Sequence, residues 1–155
     1  MLNLAIVQQK QNKLEEAIKN FLSVVEKNST SADAYFGLGF CYFKKNDLIK
    51  SAEYFSLAIK HNPLFLDAYI NLSAIYERLG NFSEAVSYLK KAIELNPKSA
   101  RVYHNLGVIH EKTMNLEMAI KCYKKALELG YQNKERLEKR IIEIKNFIIK
   151  SRVDC

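Results

Sequence analysis

The sequence is poor in residues that interrupt helices and in cysteines arranged for cross-linking. It has two prolines and five glycines among 155 residues, and this scarcity predicts a chain dominated by helices. The three cysteines, Cys41, Cys122 and Cys155, are odd in number, widely spaced and without a Cys-x-x-Cys pair. This pattern argues against a disulfide framework or a zinc site and is typical of a reducing compartment.

Long apolar runs and a targeting segment are also missing. No apolar run approaches the ~20 residues that cross a bilayer. The first residues, MLNLAIVQQK, have no basic start and too short an apolar core for a secretory signal. A hydrophobic content of 48% with 26% charged residues is typical of a folded domain. We therefore expect a cytoplasmic protein with no membrane partner.

The signatures of catalysis, metal binding and nucleic-acid binding are absent as well. We find no Gly-rich phosphate loop, no nucleophile with a plausible partner and no pair of carboxylates set apart from solvent. His104 and His110 are six residues apart and fall on different sides of a helix, which argues against a metal site. The net charge of +7 is not gathered with aromatic residues into a basic stripe. We expect a protein that is not an enzyme, with no cofactor, metal or nucleic-acid partner.

What the sequence does contain is a period of 34 residues, the distance between Pro63 and Pro97. Four rows of related residues share this spacing. They are Tyr35, Tyr69 and Tyr103; Leu4, Leu38, Leu72 and Leu106; Ala17, Ser51, Ala85 and Ala119; and Phe21, Phe55, Leu89 and Tyr123. Self-similarity of this length predicts stacked helix pairs that bury one another's apolar faces.

These rows resemble the tetratricopeptide repeat (TPR), whose pattern runs Trp-x2-Leu-Gly-x2-Tyr, then Ala-x3-Phe, then Pro. The second repeat matches with Tyr35, Leu38, Gly39, Tyr42, Ser51, Phe55 and Pro63. The resemblance implies an all-α fold, a right-handed superhelix (α-solenoid) of about four TPR helix pairs plus a C-terminal capping helix. The pairs are expected at residues 1–31, 32–65, 66–99 and 100–131, and the capping helix and tail at 132–155.

The turn within each pair is expected at a residue that tolerates a left-handed backbone. Asn12, Asn46 and Gly80 are such residues. Met114, at the same place in the fourth pair, departs from this chemistry. Small residues such as Gly39 and Ala17 are expected where the two helices of a pair approach closely.

In this family the first helix of each pair lines the concave surface, so the resemblance implies where a ligand would bind. Within residues 34–43 the family's packing positions share one helix face, and Phe36, Phe40 and Phe43 (the Phe stripe) lie roughly 120° around the helix. We expect the Phe stripe to face the groove, although it could instead pack against neighbouring repeats. The predicted peptide-binding groove comprises Leu2, Asn3, Ile6, Phe36, Phe40, Phe43, Ile70, Asn71, Ala74, Arg101, His104, Asn105 and Lys112.

Asn3, Asn71 and Asn105 occupy one repeated groove position, in a row that Gly37 interrupts. The row resembles the asparagine ladder of O-GlcNAc transferase, which holds a peptide backbone. An amide suits that task because it offers a donor and an acceptor together. Asparagine is common at this position in the family, so the row could also be family sequence without that function.

From Lys134 to Lys150 the sequence is helical but does not match the repeat. A capping stripe with 4-3-4 spacing, which would cover the last pair, consists of Leu137, Ile141, Ile144 and Ile148. Ile142, Phe147 and Ile149 add more apolar surface than a cap needs. This surplus leaves a weak homodimer through the C-terminal helix as an alternative.

The leading hypothesis is a protein-interaction scaffold that binds a peptide segment of a partner through apolar side chains. One alternative is a co-chaperone adaptor that grips an acidic chaperone C-terminus, although only Asn71 and Arg101 match that clamp. Another treats the chain as an N-terminally truncated piece of a larger TPR protein, such as an O-GlcNAc-transferase-like superhelix, because Met1 would fall inside the first helix.

Overall fold

The computed structural model of the protein describes residues 1–153, and Cys155, named above among the cysteines, lies outside the described residues. In the described part the secondary structure is helical, with nine α-helices. They are α1 (Leu2–Lys10), α2 (Leu14–Lys27), α3 (Ala32–Lys44), α4 (Leu48–His61), α5 (Leu66–Arg78), α6 (Phe82–Leu95), α7 (Ala100–Lys112), α8 (Leu116–Glu128) and α9 (Lys134–Val153). None of the helices in residues 1–153 is both long and apolar enough to span a membrane.

The chain divides into two compact units, Met1–Leu79 and Gly80–Cys155. The first contains α1 to α5, in which α1 packs against α2 and α3 against α4. The second contains α6 to α9, in which α7 packs against α8 and α8 against α9. The division falls inside the predicted third pair, between α5 and α6. The predicted pair boundaries stay a prediction.

The turns inside the pairs have a left-handed residue at the same repeated position. The φ angles are 61° at Asn12, 61° at Asn46, 77° at Gly80 and 59° at Met114. The predicted turn chemistry is thus confirmed at the first three. The fourth turn has the same conformation although its residue is unsuited to it, because its backbone N–H groups still bond to the preceding helix. The Asn115 N–H donates to the His110 carbonyl at 2.8 Å, as the Asp47 N–H does to Tyr42 at 2.9 Å.

Glycines on first helices allow aromatic rings on second helices to pack directly on the backbone. A Cβ placed on Gly39 would lie 2.8 Å from Cδ1 of Phe55, and one placed on Gly107 would lie 2.4 Å from Cδ1 of Tyr123. Phe55 and Tyr123 are 1% and 2% exposed. The expected close approach at Gly39 is therefore present, and the fourth pair repeats it with a different ring.

The capping stripe on α9 packs on the last helix pair as predicted. Leu137, Ile141 and Ile144 are 4%, 5% and 4% exposed and form one cluster with Ala119, Tyr123 and Ala126 of α8. In contrast, Ile142, Phe147 and Ile149 are exposed by 57%, 53% and 62%. The homodimer through this surface stays a prediction.

Replacing Met114 with glycine should stabilise the protein by roughly 1 kcal/mol, because glycine adopts a positive φ without the steric cost that other L-residues bear. Met114 is 65% exposed, so the lost side chain removes little packing. Thermal unfolding followed by circular dichroism should show a Tm raised by about 2–4 °C. Met114→Ala keeps the Cβ and should gain nothing; an equal gain for alanine would show that the backbone conformation is not the cause.

Replacing Gly107 with alanine should destabilise the protein by about 1–3 kcal/mol, because the new methyl group overlaps the Tyr123 ring. Helix propensity alone predicts the opposite result, because alanine favours a helix over glycine by about 1 kcal/mol. A loss of stability would therefore point to the overlap with the ring. Urea unfolding of Gly107→Ala, Tyr123→Leu and the double variant forms a double-mutant cycle. We expect the two losses to be strongly non-additive; simple additivity would contradict a direct contact.

Candidate functional site

The first residue of the Phe stripe is engaged in packing. The ring of Phe36 lies 4.7 Å from that of Phe65, measured between centroids, and 5.2 Å from that of Phe55. Phe65 precedes α5 and belongs to the connection between two pairs. Phe36 is half-buried by these contacts, so the alternative considered for the stripe, packing against a neighbouring repeat, describes this ring.

Phe40 and Phe43 differ from Phe36 because a cationic side chain lies over each of their rings. The Lys44 ammonium lies 5.5 Å from the centroid of Phe40, and the Arg78 guanidinium lies 4.3 Å from that of Phe43. Both rings are half-buried. Cations at these distances are attracted to the ring faces. This part of α3 therefore presents aromatic surface with positive charge beside it.

The repeated position of Phe36 is a packing position in both units. Ile70, at this position in α5, is 2% exposed, so its assignment to a ligand-binding groove is wrong. His104, at the same position in α7, stacks on Tyr131 with 4.4 Å between ring centroids. Phe36 and His104 both point towards the connection that follows the second helix of their pair, at Phe65 and Tyr131. Sequence reasoning missed these two partners, although both are aromatic residues just beyond a second helix.

The remaining predicted groove residues are spread over the first helices. Leu2 and Ile6 pack at the edge of the first core cluster, Asn71, Ala74 and Asn105 are half-buried, and Asn3 and Arg101 are exposed. Gly37 does not simply interrupt the asparagine row, because a Cβ there would lie 2.3 Å from Cζ of Phe21. At that position in α3 the room for a side chain is taken by a ring of α2.

A cleft of about 590 Å³ lies in the second unit, bounded by α7 and α9, and we call it the α7–α9 cleft. It brings together His104 and Lys112, both predicted groove residues, with Val108 between them. Tyr123 and Tyr131 contribute aromatic surface. The opposite wall comes from α9, a helix for which the sequence indicated capping or, as an alternative, a weak homodimer. That wall consists of Arg136, Lys139, Arg140 and Glu143, beside Leu137 and Asn133.

The spacing of residues along α9 explains how one helix can cap and line a cleft. Arg136, Lys139, Arg140 and Glu143 are three or four residues apart and share one face, roughly 100° around the helix from the capping stripe. Packing the stripe on α8 therefore turns the charged face towards α7. The 3-4 spacing of these charges was visible in the sequence, but which way they face depends on how α9 packs.

Glu111 connects the three helices around the cleft. Its carboxylate accepts a hydrogen bond from the Tyr123 hydroxyl at 2.9 Å and from Nε of Arg140 at 3.0 Å, and Nη2 of Arg140 also donates to it. Nη1 of Arg140 donates to Glu143 at 2.8 Å. The hydrogen bonds from Arg140 lower the pKa of Glu111. Burial, and then the bond to Glu111, raises the pKa of Tyr123, so the phenol stays a donor at neutral pH.

His104 is an aromatic wall of the cleft rather than a positive charge. Its ring is nearly parallel to that of Tyr131, with 8° between the planes, and burial lowers the His104 pKa below its ordinary value of 6.5. Nδ1 lies 3.2 Å from the amide oxygen of Asn105, an acceptor, which favours a proton on that nitrogen. The positive charge of the cleft therefore comes from Lys112 and from α9. The side-chain oxygen of Asn105 is therefore engaged in a hydrogen bond with His104.

Metal ligands do not gather in this region. Within residues 1–153, no group of three or more His, Cys, Asp or Glu side chains is placed to hold a metal ion.

Comparison with known proteins places the chain among helical-repeat proteins. Residues 1–141 match the family described as the Tetratricopeptide repeat protein 21 C-terminal ARM domain. A crystal structure of MamA superposes with a TM-score of 0.78 and 28% sequence identity, over 86% of this chain and 78% of that one. No curated protein matches the chain.

Two further solved structures share the fold. The structure of pilF from Pseudomonas aeruginosa gives a TM-score of 0.84 at 20% identity, over 97% of this chain and 67% of that one. The first TPR of Spaghetti (RPAP3), bound to the HSP90 peptide SRMEEVD, gives 0.71 at 24% identity, over 79% and 96%. Together with the family match, these likenesses confirm the resemblance to the TPR and the all-α solenoid class.

Replacing Glu111 with glutamine should lower stability at pH 7 by about 1 kcal/mol, a modest value because Arg140 is half exposed to solvent. A carboxyl whose folded-state pKa is lowered stabilises fully above its ordinary pKa of 4.5. That contribution is lost as the pH falls through the lowered value. The difference between wild type and variant should therefore shrink in acid.

Urea unfolding at pH 7 and at a pH well below 4.5 measures this difference. Glu94→Gln, which removes an exposed ion pair of α6 with Lys91, is the matched control and should change stability little at either pH. A difference for Glu111→Gln that does not depend on pH would contradict the ionic role of Glu111.

Proposed function

The chain belongs to the family of the Tetratricopeptide repeat protein 21 C-terminal ARM domain, a TPR-type helical repeat, and we propose that it is a scaffold that binds a segment of a partner protein through apolar side chains. The observation that carries this proposal is the pair Phe40 and Phe43. Both rings lie on one side of α3 and keep part of their surface open, while Leu38 and Cys41 of the same helix are fully buried.

Half-open aromatic rings are suited to act as binding anchors. Their open surface can be covered without reorganising the core, and fully burying a phenylalanine side chain contributes about 1.5–3 kcal/mol. A ring has few rotatable bonds, so little conformational entropy is lost when it is covered, and aromatic anchors commonly dominate interface energetics. Lys44 and Arg78 beside the rings favour a segment that combines apolar residues with carboxylates.

The alternative of an adaptor for acidic chaperone termini has one supporting observation, the HSP90 peptide bound to the first TPR of Spaghetti. At 24% identity that likeness shows the fold alone. The charged clamp to which that alternative refers uses Lys and Asn where this chain has Phe36 and Phe40, and Phe36 is engaged with Phe55 and Phe65. We therefore favour an apolar anchor, whose binding should depend less on salt than the binding of a charged clamp does.

The state of the cysteines supports a reducing compartment such as the cytoplasm. Cys41 and Cys122 are free and buried. Burial raises the pKa of Cys41 to about 11, so its thiol stays protonated and unreactive at neutral pH.

Phe40→Glu combined with Phe43→Glu should weaken peptide binding by about 30-fold or more, because two charges would replace apolar contacts. The ligands are peptides selected on the wild-type protein from a random display library, synthesised and measured by fluorescence polarisation. We expect aromatic or aliphatic residues to be enriched. Phe36 is left intact because its packing would confound the result.

Phe147→Glu, on the exposed side of α9, is the matched control and should bind the selected peptides as wild type does. Circular dichroism should show the same helicity for all three proteins. Failure to enrich any peptide, or wild-type affinity for the Phe40 and Phe43 variant, would overturn the proposal.

A further inference from the structure

We propose that the α7–α9 cleft is a second binding site, selective for an acidic segment of a partner protein, whose carboxylates pair with Arg136 and Lys139. The inference deepens the proposed function and rests on it, but it concerns a different surface. The ligand is defined by its chemistry, a run of Asp or Glu side chains on a peptide backbone.

The charges that face the cleft are unequal. Four cationic and two acidic side chains line it, from α7 and α9. The cations are Lys112, Arg136, Lys139 and Arg140, and the acids are Glu111 and Glu143. An open cavity with an excess of one charge attracts ligands of the opposite charge.

The two acidic groups are already occupied. Arg140 donates from three of its nitrogens to Glu111 and Glu143, and Glu111 also accepts from Tyr123. These three side chains are paired with one another, keep one net negative charge and form a fixed wall, and the cation excess of the cleft comes from Lys112, Arg136 and Lys139. A carboxylate entering the cleft has no need to displace them.

Arg136 and Lys139 are the cations left to meet a ligand. They stand one turn apart on the same face of α9, and neither has a carboxylate within ion-pair distance among residues 1–153. Arg136 is close enough to act electrostatically on the His104 ring, which places its charge at the aromatic wall. A guanidinium binds a carboxylate through two parallel hydrogen bonds, so this pair can hold successive acidic side chains.

The rest of the wall favours a peptide over a free anion. The stacked rings of His104 and Tyr131 cover one side, and the side-chain amide of Asn133 offers a donor and an acceptor to a backbone. A volume of about 590 Å³ lies within the usual range of ligand pockets, roughly 300–1,000 Å³. Nucleic acid fits less well, because successive bases need a row of separate ring platforms, and His104 and Tyr131 stack on each other and leave at most one face each.

The test uses three fluorescein-labelled, end-capped probes: a decapeptide of alternating Glu and Ala, the same peptide with Gln for Glu, and a ten-nucleotide oligothymidylate. At low salt the acidic peptide should bind wild type at least about 10-fold more tightly than the other two. Its affinity should fall as salt is added, since partly exposed ion pairs are screened.

Arg136→Glu combined with Lys139→Glu should abolish that preference with a loss of about 10-fold or more. The matched control is Lys124→Glu with Lys145→Glu, which makes the same change in net charge on exposed residues that do not line the cleft. It should bind the acidic peptide as wild type does, apart from a small loss of long-range attraction.

Equal losses in both double variants would show a non-specific charge effect and overturn the inference. Equal binding of the Gln peptide, or tighter binding of the oligothymidylate, would do the same. The Phe40 and Phe43 variant should keep its affinity for the acidic peptide. If the library-selected peptides bind through those rings while the acidic peptide does not bind, the proposed function stands and only this inference fails.

Discussion

In the α3–α4 and α7–α8 pairs, an aromatic ring packed directly on a glycine determines how closely the two helices approach. Phe55 lies on Gly39 in the first unit and Tyr123 lies on Gly107 in the second, at distances that leave no room for a Cβ. The ring fills the space that a side chain on the first helix would otherwise occupy, and helix packing of this kind tolerates added volume poorly.

The α7–α9 cleft depends on the same contact. The repeated position of Phe21, Phe55 and Leu89 holds Tyr123 in the last pair, and only this residue has a hydroxyl group there. Once its ring rests on Gly107, the hydroxyl meets Glu111, and Glu111 in turn meets Arg140. A packing residue thereby links the first helix of the pair to α9 and orients the charged wall. The contacts that stabilise the second unit also shape its candidate site.

The two units present different surfaces to a partner. In the first, the open rings of Phe40 and Phe43 are flanked by Lys44 and Arg78. In the second, an aromatic wall faces Arg136 and Lys139 across a cleft. Both surfaces combine aromatic rings with cations, but the first is mainly aromatic and the second mainly cationic. The proposed apolar segment and the proposed acidic segment therefore have separate surfaces.

Much of the fold could be read from the sequence because it depends on local and periodic rules. The 34-residue period, the turns at Asn12, Asn46 and Gly80, and the capping stripe of α9 follow from spacing along the chain. The candidate site could be predicted only in part. His104 and Lys112 of the predicted groove do line one cleft, but Ile70 is buried and the α9 wall was missed. These outcomes were decided by tertiary packing, because burial, pKa and ion pairing depend on distances between residues such as Glu111, Tyr123 and Arg140, which are far apart in sequence and meet only when α9 packs on α8.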